Sequence, residues 1–131
     1  MNKEILAKFA SNPPANPSAI LQVQTDLRVD LPKSYLQFMS ERNGGEGFVG
    51  DNYLMLWRIE ELAELNRSYE VATYAPGLIL FGSNGGGEGF AFDFRGPSAE
   101  IVSVPFVGMD ISLVRLVSKG FEEFLKALFE S

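Results

Sequence analysis

Apolar residues recur every three or four positions in four segments, which predicts four amphipathic helices. The first spans residues 17–28, because Asn16 offers an N-cap oxygen and Pro17 suits the first helical position. The second opens at Pro32 and ends at residues 43–45, an Asn-Gly-Gly run. The apolar stripes are, in chain order, Ile20, Val23 and Leu27; Tyr35, Phe38 and Met39; Ile59, Leu62, Leu65 and Tyr69; and Phe121, Phe124, Leu125, Leu128 and Phe129.

The helical pattern also has two weaker features. Ile5, Leu6 and Phe9 share one face, which predicts a further short helix before the break at residues 11–14. Gly120 is available to cap the closing helix, whose first turn is acidic as the helix dipole favours.

Between the helices the apolar period changes to two. Phe90, Phe92 and Phe94 alternate with Ala91 and Asp93, the pattern of a half-buried strand. The predicted strands are residues 48–49, 53–57, 78–82, 90–94, 101–104 and 113–117. This order of elements predicts an α+β domain. We expect an antiparallel sheet of about five to six strands, with N-terminal helices and a closing C-terminal helix packed on it.

The composition adds expectations about size and compartment. With 131 residues, 46% of them hydrophobic, the chain can bury one core, so we expect a single domain over 1–131 in which 1–16 is an N-terminal extension. There is no cysteine, and no apolar run long enough for a signal peptide or a membrane span. We therefore expect a cytoplasmic protein with no membrane association.

The charge balance bears on partners. The formal net charge of −6 is opposite to the basic footprint that nucleic acid requires, so neither the first helix pair nor the aromatic side chains predict nucleic-acid binding. An acidic surface does favour encounter with a basic protein. The alternative is that the charge serves solubility alone.

Candidate chemistry is sparse. The chain has no histidine and no cysteine, so the commonest general base and zinc ligands are missing, and we predict no catalytic residue, metal or cofactor. Carboxylates near glycine-rich turns, Glu46, Asp51, Glu88 and Asp93, leave open an enzyme or a small-ligand binder that uses acid/base chemistry.

The run of glycines over residues 83–89 invites comparison with phosphate-binding loops. No Lys-Ser or Lys-Thr follows it, it leads into a strand, and Glu88 would repel a phosphate. We therefore interpret it as a hairpin that needs positive φ, and expect Gly86→Ala or Gly87→Ala to lower the melting temperature.

Three motifs together resemble the SUKH superfamily, in its branch with the fungal Smi/Knr cell-wall regulators. They are the Leu-Pro, Tyr, Phe and Asn-Gly-Gly series of residues 31–45, the glycine-rich hairpin from Phe81-Gly82 to residues 90–93, and the Phe-Glu-Glu-Phe-Leu run of residues 121–125. The resemblance extends over residues 17–129. It implies an α+β fold without known catalytic residues.

Many bacterial members of this superfamily are taken to be immunity proteins encoded beside toxins, often nucleases, and fungal members act in cell-wall signalling. The resemblance thus favours a bacterial immunity protein; the alternatives are a regulatory scaffold or the carboxylate-dependent enzyme or ligand binder. The residues read as scaffold are Leu31, Pro32, Tyr35, Phe38, Gly44, Gly45, Gly82, Gly86, Gly87 and Phe124. From their charge, the candidate contacts to a basic toxin domain are Glu41, Glu46, Asp51, Glu60, Glu61, Glu64, Glu88 and Asp93.

Overall fold

A computed structural model describes residues 4–131. Its α-helices are α1 (Pro17–Leu27), α2 (Lys33–Glu41), α3 (Leu62–Ser68), α4 (Val71–Tyr74) and α5 (Phe121–Glu130). Its strands are β1 (Phe9–Ser11), β2 (Gly45–Val49), β3 (Asn52–Leu56), β4 (Leu78–Ser83), β5 (Glu88–Asp93), β6 (Glu100–Pro105) and β7 (Arg115–Ser118). Two 3₁₀ turns cover Ile59–Glu61 and Ile111–Leu113.

The strands form one antiparallel sheet in which each strand pairs with the next in sequence, from β1 to β7. The predicted α+β class is confirmed, including the closing helix, and the sheet has seven strands where five to six were expected. The additional member is β1. In this meander the strands that are neighbours in the sheet are also consecutive in the sequence.

The predicted helix at the N-terminus is wrong. Residues 4–8 form turns, and Phe9–Ser11 pair with β2, Phe9 opposite Gly47 and Ser11 opposite Gly45. A single helical turn is marginal by itself, whereas pairing with an existing strand satisfies the same backbone groups and still buries Phe9.

Two other elements differ from the predicted ones. The predicted third helix begins as the 3₁₀ turn Ile59–Glu61 and continues as α3, and the additional short helix α4 follows Glu70, which adopts a left-handed φ of 53°. The predicted strand at 113–117 begins only at Arg115, since the Asp110 carboxylate accepts the Ser112 backbone N–H and starts a 3₁₀ turn there.

One face of the sheet is covered by α1, α2 and α5. Tyr35, Phe121 and Phe124 of these helices are fully buried against sheet residues that include Phe81 and Phe92. The rings of Phe81 and Phe92 stack at 4.4 Å, and Tyr35 meets Phe92 edge-on at 4.9 Å. The larger of the two apolar clusters of the described chain lies here.

The opposite face is covered only over β4–β6. Val71 and Ala75, at the two ends of α4, pack with Leu80 and other residues of these strands. β3 pairs with β4 only at Met55 and Leu56, so Leu80 lies beyond the paired stretch. Buried Asn66 of α3 takes the place of a strand there: its amide donates to the Leu80 carbonyl at 2.9 Å and accepts the Leu80 N–H at 2.8 Å. α3 is thereby fixed to β4, beyond the stretch where β3 and β4 pair.

Tyr35 carries a buried hydroxyl that has no hydrogen-bond partner among residues 4–131. Burial raises the pKa of this phenol well above its ordinary value. An unpaired buried hydroxyl costs about 1–3 kcal/mol, so Tyr35→Phe should leave the free energy of unfolding unchanged or raise it by about 1 kcal/mol in urea titrations. Tyr35→Leu, which also removes the ring contacts, should lower it. A loss for Tyr35→Phe similar to that for Tyr35→Leu would show that the hydroxyl is satisfied.

The glycines of the scaffold set fall into two groups. At Gly44, Gly45 and Gly82 a Cβ would collide with backbone atoms of a neighbouring segment, and the first two have positive φ of 77° and 142°. Gly86 and Gly87 have neither a positive φ nor a Cβ clash. The expectation that alanine at Gly86 or Gly87 lowers stability is therefore revised to a neutral effect; within the loop it is Gly85 that has positive φ, 78°.

A candidate docking groove

The β2–β3 hairpin exposes part of its second face to solvent. Glu46 lies opposite Met55 and Phe48 opposite Tyr53, so these four side chains share one face, the reverse of the one that buries Leu54. Phe48 is 50% exposed, and Tyr53 and Met55 are half-buried. Large apolar side chains are thus accessible on a sheet face whose other side is fully packed.

A groove of about 510 Å³ lies on this face. Its lining comes from three strands, the 3₁₀ turn after β3 and the helix α3: Ala10, Asn12, Gly45, Glu46, Met55, Leu56, Trp57, Arg58, Glu61 and Leu65. The volume lies within the range of pockets that bind small molecules or single side chains of a partner. The β1–β3 strands supply one side and α3, held by Asn66, supplies the other.

Trp57 belongs to an aromatic stack at the end of β3. Tyr69 lies parallel to the Trp57 ring, at 5° and 6.1 Å between centroids, and Phe106 stacks on Tyr69 at 4.7 Å. Tyr69 remains 40% exposed. The stack fixes the orientation of the indole, which lines the groove from the β3 side.

Two carboxylates and one guanidinium line the groove. Glu46 accepts a hydrogen bond from the Tyr53 hydroxyl at 2.5 Å, which raises the pKa of the phenol. Glu61 accepts the backbone N–H of Arg58 at 3.0 Å. Within residues 4–131 none of these charged side chains forms an ion pair. Each carboxylate is therefore oriented by a neutral donor, the Tyr53 hydroxyl or the Arg58 backbone N–H.

The 3₁₀ turn that carries Glu61 is anchored by Asn43. This buried amide accepts the Ile59 backbone N–H at 2.8 Å and donates to the Glu60 carboxylate at 2.5 Å, which lowers the pKa of Glu60. Next to it, Gly44 lets the chain pass close to the Trp57 backbone. The Asn-Gly-Gly run thus positions one rim of the groove.

The structure brings together only some of the acidic residues selected from the sequence. Glu46 and Glu61 line the groove, with Glu60 exposed on the same 3₁₀ turn as Glu61 and Glu64 exposed on α3, which follows it. The others lie elsewhere: Glu41 at the end of α2, Asp51 at the hairpin tip, and Glu88 and Asp93 at the two ends of β5, about 17 Å apart in an extended strand.

Asp93 and Glu88 differ in environment from the groove carboxylates. Asp93 pairs with Arg95 at 2.8 Å, the one ion pair between two described residues, and this guanidinium lowers the pKa of Asp93. Glu88 is half-buried beside Arg115 in a separate cavity. These two residues are not placed to act with Glu46 and Glu61 on one partner segment.

Sequence reasoning did not select Trp57, Arg58 or Leu65 for the groove. One signal was present: Tyr53, Met55 and Trp57 follow one another with a period of two, which places them on the same face of a strand. Arg58 and Leu65 depend on how the segment after β3 folds back, and no local pattern marks that.

The family model described as SMI1 / KNR4 family (SUKH-1) matches residues 14–127. The chain belongs to this family. The match covers α1 through most of α5, including β2, β3 and α3, which line the groove. No curated protein matches the chain.

Two structural findings complete the description of this SUKH-1 member. Across residues 4–131, no group of three or more His, Cys, Asp or Glu side chains is arranged to hold a metal ion. Over the same residues, no helix combines the length and the apolar character that a membrane crossing requires.

Proposed function

We propose that this SUKH-1 protein is a non-catalytic, cytoplasmic binding module of bacterial origin that acts as an immunity protein and neutralises a toxin domain by docking onto it. The observation that carries the proposal is the groove, which is lined by Glu46 of β2, by half-buried Trp57 directly after β3 and by exposed Glu61 of the 3₁₀ turn. Protein interfaces favour aromatic anchors held on a rigid scaffold. The family relationship supports a protein-binding role.

The charge of the chain supports a basic partner. A net charge of −6 and the exposed carboxylates around the groove attract a cationic domain, such as a nuclease that binds phosphate backbones. Charge steering raises the association rate more than it raises affinity. We therefore expect association with the toxin domain to slow as salt increases, with a smaller change in the dissociation rate.

The proposal is tested with the toxin domain encoded by the adjacent gene. Co-expression in a sensitive host should restore growth, and the two purified proteins should form a complex whose association rate falls at least severalfold between low and physiological salt. Expression of an unrelated acidic protein of similar size is the control for nonspecific charge effects.

Two results would change the proposal. Absence of a complex at micromolar concentration, together with absence of protection, would contradict the immunity function. Binding to an endogenous signalling or wall-synthesis protein, without protection from any toxin, would instead favour the regulatory scaffold.

A further inference from the structure

We infer, on the basis of the protein-binding function proposed above, that the groove receives an arginine or lysine side chain from an extended basic segment of the partner. The cation would lie against Trp57, within reach of the Glu46 and Glu61 carboxylates. The groove thus assigns a docking surface and the chemistry of its occupant.

Charge complementarity is the first argument. Of the three charged residues that line the groove within residues 4–131, two are carboxylates, and exposed Glu60 and Glu64 extend the negative charge along the same segment. Arg58 is the single cation that this described part of the chain contributes to the lining. The local balance is negative, as it is for the whole chain. A cationic side chain that enters would gain partners, whereas an anionic one would meet repulsion.

The aromatic stack is the second argument. An arginine or lysine side chain binds favourably near an indole ring, and tryptophan is the best of the aromatic residues in this role. Tyr69 holds the Trp57 ring in one orientation, so little freedom is lost when a partner binds. Met55 and Leu65 supply apolar lining for the methylene stem of the incoming side chain.

The free edge of β1 indicates that the occupant is an extended segment. β1 pairs with β2 on one side, and its other edge has no strand partner among residues 4–131. Ala10 of this strand lines the groove. An extended segment that runs along β1 can make backbone hydrogen bonds there and point alternate side chains towards the groove.

Trp57 is the only tryptophan of the chain, so its fluorescence reports on the groove directly. The probe is a blocked pentapeptide of alternating glycine and arginine, titrated into the intact protein at low salt; the matched peptide carries glutamate in place of arginine. We expect a saturable change in Trp57 emission with the arginine peptide, weakened by added salt, and no saturable change with the glutamate peptide.

Three variants test whether the arginine peptide binds in the groove. Glu46→Gln with Glu61→Gln should raise the apparent dissociation constant about three- to tenfold, and Arg58→Gln should lower it about two- to fivefold. Glu122→Gln with Glu130→Gln makes the same change in net charge on exposed positions of α5, which packs on the other face of the sheet, and should have little effect. Melting curves verify that each variant is folded.

Equal responses to the two peptides, or equal affinities in the groove and α5 variants, would overturn the inference. This test uses no toxin, so its outcome is independent of the protection assay. If the chain protects its host but the groove variants behave as wild type in both peptide and toxin binding, the immunity function stands and docking occurs on another surface.

Discussion

Phe124→Ala should lower the free energy of unfolding by about 3–5 kcal/mol, enough to unfold a large fraction of a domain of ordinary stability. The ring is fully buried between α5 and the sheet. It meets Phe90 at 4.9 Å and Phe81 at 5.6 Å, both edge-on. Alanine would leave a cavity that rigid strand side chains cannot refill.

Urea unfolding followed by circular dichroism measures this effect. Lys126→Ala, on the exposed side of the same helix, is the matched control and should change stability by less than about 0.5 kcal/mol. A Phe124→Ala protein that unfolds cooperatively at the wild-type midpoint would mean that this face of α5 is not part of the core.

Gly44→Ala should cost about 2–5 kcal/mol. The residue has a φ of 77°, which costs an L side chain roughly 1–2 kcal/mol. Its Cβ would also collide with the carbonyl oxygens of Leu56 and Trp57, and these are backbone atoms that move only if β3 moves. The substitution therefore strains both the end of α2 and the rim of the groove.

Gly87→Ala is the matched control, since its Cβ would meet no atom within 4 Å and its φ is not positive. Thermal melts should show a large decrease for Gly44→Ala and almost none for Gly87→Ala. Equal decreases in melting temperature for the two variants would indicate that a side chain at Gly87 does meet other atoms, contrary to the open surroundings of this loop.

Most of the fold could be predicted because its helices and strands are marked by local sequence signals, namely capping residues and the period of the apolar positions. Asn16 accepts the Ser18 backbone N–H at 2.9 Å, and α1 begins at Pro17 as capping rules predict. Phe90 and Phe92 are buried on β5, as their alternation indicated, but Ala91 between them is buried too, so this strand is covered on both faces where a half-buried strand was expected. The closing helix begins at Phe121, also as predicted.

What could not be predicted depends on partners distant in sequence. Ile5 and Phe9 are four residues apart, which suits one face of a helix, and only the presence of β2 decides for a strand at Phe9. Asn66 lies within a helical pattern and would pass for a solvated position. Its buried hydrogen bonds to Leu80 exist because β3 and β4 diverge at that point.

In the candidate site, too, some features could be predicted from the sequence and others depend on residues distant in sequence. Composition indicated an acidic binding protein, and Glu46 and Glu61 were among the residues chosen from charge. Charge alone could not separate them from Asp93, which Arg95 neutralises, because that ion pair depends on how the chain bends directly after β5. Trp57 lines the groove only because β3 continues into a 3₁₀ turn that Asn43 anchors.

The central claim, that this SUKH-1 protein inhibits by binding and not by catalysis, is tested most directly by titrating the activity of the toxin domain with increasing amounts of the chain. At toxin concentrations well above the dissociation constant, activity should fall linearly, reach its minimum at a fixed stoichiometry, and not change with longer incubation. Loss of toxin activity at far less than one chain per toxin, progressing with time, would contradict the account and identify the protein as an enzyme.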